Sequence, residues 1–115
     1  MAKYLMMAFT NPVAGKDAEF NAWCDKHHLP EVLQVPGVKS GRRYNLADTQ
    51  VPGGVKPLPG QYLAIYEIET DDLNAFYQGM FAQAPKFTQS DSFDAATGGS
   101  AFMFVPAGDW VQSKG

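Results

Sequence analysis

Apolar residues recur along the chain with two different periods. Residues 3–10 (KYLMMAFT) are a short aliphatic and aromatic run that stops at Asn11-Pro12, a turn signal, and they predict a first strand. From about Lys16 the period lengthens. Phe20, Trp23, Cys24 and His27 fall at i, i+3, i+4 and i+7, one face of an amphipathic helix. Asp17 and Glu19 sit in its first turn, where carboxylates favour the helix dipole. Pro30 has no N–H to donate, so the helix is expected to end or kink near His28-Leu29, with Glu31–Gln34 forming another turn before Pro36-Gly37. Residues 38–47 predict a second strand, polar for its length, and 61–69 (QYLAIYEIE) predict a third, the clearest in the chain. Thr70 or Asp71 then supplies a helix N-cap. Leu73, Phe76, Tyr77, Met80, Phe81 and Ala84 follow at helical spacing until Pro85 closes the segment. Residues 86–99 are polar and Gly-rich, and 100–105 (SAFMFV) are the last strand. Residues 48–60 hold three prolines and three glycines and predict a loop, long enough to suggest a segment bordering a pocket.

The order is β-α-β-β-α-β, an α+β arrangement with four strands and two helices. The strands are apolar on both faces: Tyr4, Met6 and Ala8 lie on one side of the first, Leu5, Met7 and Phe9 on the other. Two helices cover one face of such a sheet. The other would leave an apolar patch that monomers rarely expose. A second copy of the same face is the economical cover, so a homodimer is expected.

At 115 residues the chain is expected to be one domain spanning 1–115, and 45% apolar with 18% charged residues is an ordinary globular composition. A net charge of −3 and a pI near 5.2 give nucleic acid no electrostatic footprint. No apolar run approaches the length of a membrane helix, so no membrane partner is expected. Cys24 is the single cysteine, which suits a reducing, cytoplasmic setting.

The candidate chemistry gathers at the end of the first helix. Trp23-Cys24-Asp25-Lys26-His27-His28-Leu29-Pro30-Glu31-Val32-Leu33, followed by Pro36-Gly37, carries the pattern W-x-D-x-x-H-x-P-x-x-L. Periodicity places His27 centrally on the Phe20/Trp23/Cys24 face and His28 at its edge. Taken by themselves, His28 and Asp25 read as a surface pair at a helix end, and His27 reads as a core histidine. Trp23 reads as core or pocket wall, and Tyr44 and Tyr66 as strand tyrosines able to hold a substrate oxygen. Glu67 is expected to pair with Arg42 or Arg43, and Cys24 to be buried and inert. Asp25, His28 and Glu31 are metal-ligand types, but the kink at Pro30 spoils their spacing and no metal is expected. A Gly-rich phosphate loop and a G-x-S-x-G elbow are both lacking in the sequence.

With the Asn11-Pro12 lead-in and the strand Tyr62-Leu63-Ala64-Ile65-Tyr66-Glu67-Ile68, this motif resembles the EthD-like branch of the dimeric α/β-barrel superfamily. The resemblance covers about residues 3–70, and the C-terminal third only by layout. It implies a ferredoxin-like four-stranded antiparallel sheet that pairs into a dimeric barrel, with a small-molecule pocket between sheet and helices. It selects His28, the histidine before Leu-Pro, as the acid/base, and Asp25, three residues back on the same helix, is expected to orient it. Trp23, Tyr44, Tyr66 and His27 are the expected substrate-binding residues. The activity it implies is cofactor-independent acid/base chemistry of isomerase, cyclase, decarboxylase or lyase type on a small apolar, aromatic or polyketide-like metabolite. The alternatives are a non-catalytic small-molecule binding dimer, a haem-binding protein or a cofactor-free monooxygenase.

Overall fold

The computed structural model describes residues 1–53 and 56–115, so Gly54 and Val55 of the expected 48–60 loop lie outside the described residues. Four strands, β1 (Ala2–Thr10), β2 (Val38–Asn45), β3 (Tyr62–Thr70) and β4 (Ser100–Phe104), form one antiparallel sheet in the order β2-β3-β1-β4. That is the ferredoxin-like arrangement. Alternation along β1 and β3 sorts their side chains cleanly. Tyr4, Met6 and Ala8 pair with Ile68, Tyr66 and Ala64 on one face, while Leu5, Met7 and Phe9 pair with Glu67, Ile65 and Leu63 on the other.

The first face carries the helices. Helix α1 (Asp17–Trp23) runs without a break into a π-helical turn, Cys24–His28, and then α2 (Leu29–Val32). The backbone stays right-handed helical through Cys24, His28 and Leu29, so Pro30 does not end the helix as expected. The cause is visible in the hydrogen bonds. Pro30 has no N–H, and its ring would crowd the carbonyl four residues back. The turn widens by one residue instead, with the Leu29 N–H donating to the Cys24 carbonyl, five residues back. Gly37, at a φ of +101° that disfavours any side chain, then turns the chain into β2.

Helix α3 (Leu73–Gln83) begins one residue later than expected. Asp72 is its N-cap, the carboxylate accepting from the N–H groups of Asn74 (3.0 Å) and Ala75 (3.3 Å). Phe76 brings α3 onto Met6, Tyr66 and Ile68 together with Val32 and Val35, and these six make the buried core.

The second face carries no helix. Phe102 and Phe104 of β4 pair with Met7 and Leu5 there, and Phe104 is 52% exposed. Strand β2 joins this sorting through a bulge between Val38 and Ser40, which shifts its register by one. Past the bulge, Gly41, Arg43 and Asn45 point to the helix face, and Ser40, Arg42 and Tyr44 to the open one.

Gly41 lies where the helix presses on the sheet, and a Cβ there would come within 2.7 Å of Tyr66 and 3.1 Å of Leu29. Gly41→Ala should therefore cost about 1–3 kcal/mol through overpacking. Gly79, inside α3 with open space around it, should instead gain about 0.5–1 kcal/mol as alanine. Urea denaturation of both variants checks the contrast.

Candidate functional site

The widened turn decides which histidine meets the interior. In a regular α-helix residue 28 would sit well round from residue 23. With the five-residue hydrogen bond, it lies one turn above it. The His28 imidazole stacks on the Trp23 indole, with ring centroids 4.8 Å apart and planes 26° from parallel. Phe87 meets it edge-on at 5.9 Å. His27, which the helical period placed on the buried face, is exposed. Its expected place as a core histidine is corrected by the same slip, and it does not border the cavity beneath His28.

Segment 86–99 straps over this stack. The Thr88 N–H donates to the Glu31 carboxylate (2.9 Å) and the Trp23 Nε1–H donates to the Thr88 carbonyl (2.9 Å), so one residue is clasped from both sides. Farther on, Val13 N–H donates to the Ser92 carbonyl (2.7 Å) and Asp94 N–H to the Asn11 carbonyl (3.0 Å), tying the strap to the end of β1.

Beneath His28 a cavity of about 30 Å³ lies between helix and sheet, bordered by Ala8, Cys24, Arg43, Tyr62 and Tyr66. That is roughly the volume of one water molecule. His28 Nδ1 is buried and has no hydrogen-bond partner among the described residues. Burial holds the imidazole below its usual 6.5; Glu31 pulls it back upward and Arg43 adds to the drop. The ring is thus neutral at pH 7 and can accept a proton. Burial raises the Cys24 thiol above its usual value and the Tyr66 hydroxyl well above its own, so both stay protonated and unreactive as nucleophiles.

The other expected partners lie elsewhere. The Asp25 carboxylate accepts from Arg43 Nη1 at 2.9 Å and does not orient His28. Past the π turn, the three-residue spacing no longer places residues 25 and 28 side by side. Tyr44 sits on the helix-free face beneath Arg42, away from the cavity. Glu67 accepts from the Ser40 hydroxyl and not from an arginine, because the bulge brings Ser40 opposite it. Described residues of the 48–60 loop do not line the cavity.

Two cavity neighbours were not singled out as site residues in the sequence. Arg43 is held by Asp25 and Asn21, and the Tyr62 hydroxyl donates to Asp17 (2.9 Å). Only the parity of β2 past its bulge would have revealed Arg43. Among the described residues no three His, Cys, Asp or Glu side chains converge as a metal site. A larger recess of about 800 Å³ opens on the other side of the sheet, between Lys3, Leu5, Phe104 and the C-terminal segment around Trp110. It contains no histidine.

No family model matches the chain, and no curated protein matches it in sequence. Solved structures do match it. A mutant of MhuD, crystallised with two manganese protoporphyrin IX groups per active site, is 16% identical with a TM-score of 0.59, over 95% of this chain and 99% of that one. An EthD family protein from Bacillus halodurans is 12% identical with a TM-score of 0.45, over 96% and 100%. The chain has the fold of the dimeric α/β-barrel type.

The depressed histidine sets a pH dependence. Unfolded, His28 titrates near 6.5, and folded it titrates lower. As pH falls through 6.5 the unfolded chain takes up a proton that the folded one refuses, so stability declines down to the folded value. His28→Phe removes that group while keeping an aromatic ring on Trp23. The urea midpoint should therefore fall less between pH 7.5 and pH 5.5 in the variant than in the wild type.

Proposed function

We propose that the chain is a cytoplasmic homodimer, and that each protomer transfers protons through His28 on a small, largely apolar molecule of aromatic or polyketide-like type. The chemistry is of the isomerase, cyclase, decarboxylase or lyase kind and draws on no cofactor. The observation that carries this reading is the buried Nδ1 of a neutral imidazole, left without a partner beside a cavity. A buried acceptor with nothing to accept from costs stability, of order 1–3 kcal/mol, and such a group calls for an explanation. A base awaiting a substrate proton is one. Tyr62 and Tyr66 supply aromatic walls to the cavity, and His28 packs on Trp23 and Phe87. A ligand of aromatic size, larger than the present cavity of about 30 Å³, enters by displacing the strap at Phe87-Thr88.

The porphyrin of the MhuD structure does not carry over. A cavity of about 30 Å³ is far smaller than a porphyrin. No step is derived through haem.

Dimerisation rests on the helix-free face, where Leu5, Met7, Phe9, Ile65, Phe102 and Phe104 lie together. Light scattering behind size-exclusion chromatography at micromolar concentration should give twice 12.6 kDa, and a monomer would remove the barrel assembly.

The reaction is tested with a panel of small aromatic acids, phenols and aryl ketones followed by mass spectrometry. At least one member should be converted. His28→Ala should slow that conversion by about 10²–10⁴-fold and, since it also removes a ring packed on Trp23 and Phe87, should lower the melting temperature. His27→Ala, at an exposed position, should leave both unaltered. Binding without conversion in the wild type would make the protein a small-molecule carrier.

A further inference from the structure

Arg43 is placed in a way that its ion pair does not explain. Its side chain is 15% exposed, whereas that of its partner Asp25 is 64% exposed. A half-solvated pair of this kind is worth about 0–1 kcal/mol and gives little reason to bring a guanidinium onto the inner face of the sheet. Yet the bulge in β2 turns Arg43 inward, between Gly41 and Asn45 and opposite Ala64. There it borders the same cavity as His28 and Tyr66.

The guanidinium is also fixed in aim. Asp25 accepts from Nη1, Asn21 accepts from Nη2, and the Tyr62 ring lies 5.7 Å from the guanidinium carbon. Of its five N–H groups, two are used in these bonds and the rest have no acceptor among the described residues. A preorganised cation and an acceptor imidazole around one cavity are the two groups needed to draw a proton from carbon beside a carbonyl.

The geometry points to Arg43 as the group that holds a substrate oxyanion, and so to substrates that ionise at oxygen: small carbonyl compounds passing through an enolate, or phenols. The inference rests on the proposed role of His28 as base. In the forward step the C–H bond breaks and its proton goes to His28 Nδ1. The electron pair becomes the new C=C bond while the carbonyl π pair moves to oxygen, beside Arg43. Where the substrate carries a β,γ double bond the enolate is extended into a dienolate. Return of the proton from His28 to its γ carbon, with the oxygen pair re-forming the carbonyl and the double bond left between the α and β carbons, completes an isomerisation. Protons and electrons balance with no oxidant, reductant or co-reactant.

The test uses para-nitrophenol, whose anion is coloured and whose neutral form is not, beside nitrobenzene as the uncharged counterpart. The wild-type protein should bind the phenolate about tenfold or more tightly than nitrobenzene, and should lower the pH at which the bound phenol ionises. Arg43→Gln should lose the preference while still binding nitrobenzene, and Arg43→Lys should keep part of it. The comparison of the two probes on wild type stands even if the glutamine variant fails to fold. Equal binding of both probes by wild type, or an anion preference untouched in Arg43→Gln, would overturn the assignment of Arg43. A loss of conversion in His28→Ala would still uphold the base in that case. Binding of neither probe would remove the cavity as a ligand site, and both readings with it.

Discussion

One hydrogen bond sets the site: the Leu29 N–H donating to the Cys24 carbonyl, five residues back. A regular turn would have set the Pro30 ring against the Lys26 carbonyl. Widening the turn relieves that conflict and lets the helix run on to Val32. The extra residue rotates everything beyond it. His28 comes over Trp23, Leu29 comes over Cys24, and His27 swings out to solvent. Val32 still reaches the core with Val35 and Phe76, so the helix is anchored on both sides of the slip. A proline at this point therefore acts less as a terminator than as the cause of a register change, and the register change selects the histidine.

A second slip of one residue completes the arrangement. The bulge between Val38 and Ser40 sends Arg43 to the helix face and Tyr44 to the open one. Without it, the inner side of β2 would present Ser40, Arg42 and Tyr44. With it, a guanidinium pinned by Asp25 and Asn21 borders the cavity under His28. Desolvation then fixes the charge states: the imidazole is neutral, while the thiol of Cys24 and the hydroxyl of Tyr66 keep their protons. Arg43 is left as the cation bordering that space, and its charge further depresses His28.

The regular parts of this fold were legible in the sequence because they follow fixed periods. β1, β3 and β4 are short apolar runs between turn signals, and α3 repeats at helical spacing, so their limits were read to within two residues. The site was legible only in part, since two departures from period control it. Counting at 100° per residue put His27 inside, and counting alternate residues from Val38 would put Tyr44 inside. Each count is right up to the slip and wrong beyond it. The motif resemblance pointed to His28 without giving a cause, and the widened turn supplies the cause for its position. Asp25 and Glu67 were assigned partners from charge and spacing. Arg43 and Ser40, brought close by the bulge, took those places. Nothing in a one-dimensional pattern announces a bulge in a strand as polar as VKSGRRYN.

The stack of His28 on Trp23 gives the account its most direct test. Trp23 and Trp110 are the two tryptophans of the chain, and Trp110 is almost wholly exposed, so Trp110→Phe leaves Trp23 as the sole indole. An imidazolium quenches an indole in contact with it far more than a neutral imidazole does. Fluorescence of that variant, titrated downward in pH, should therefore fall in a single step with its midpoint below 6.5. The step should vanish in His28→Gln and persist in His27→Gln. A step that survives loss of His28 and disappears with His27 would mean that the turn is not widened and that the helical count had named the right residue.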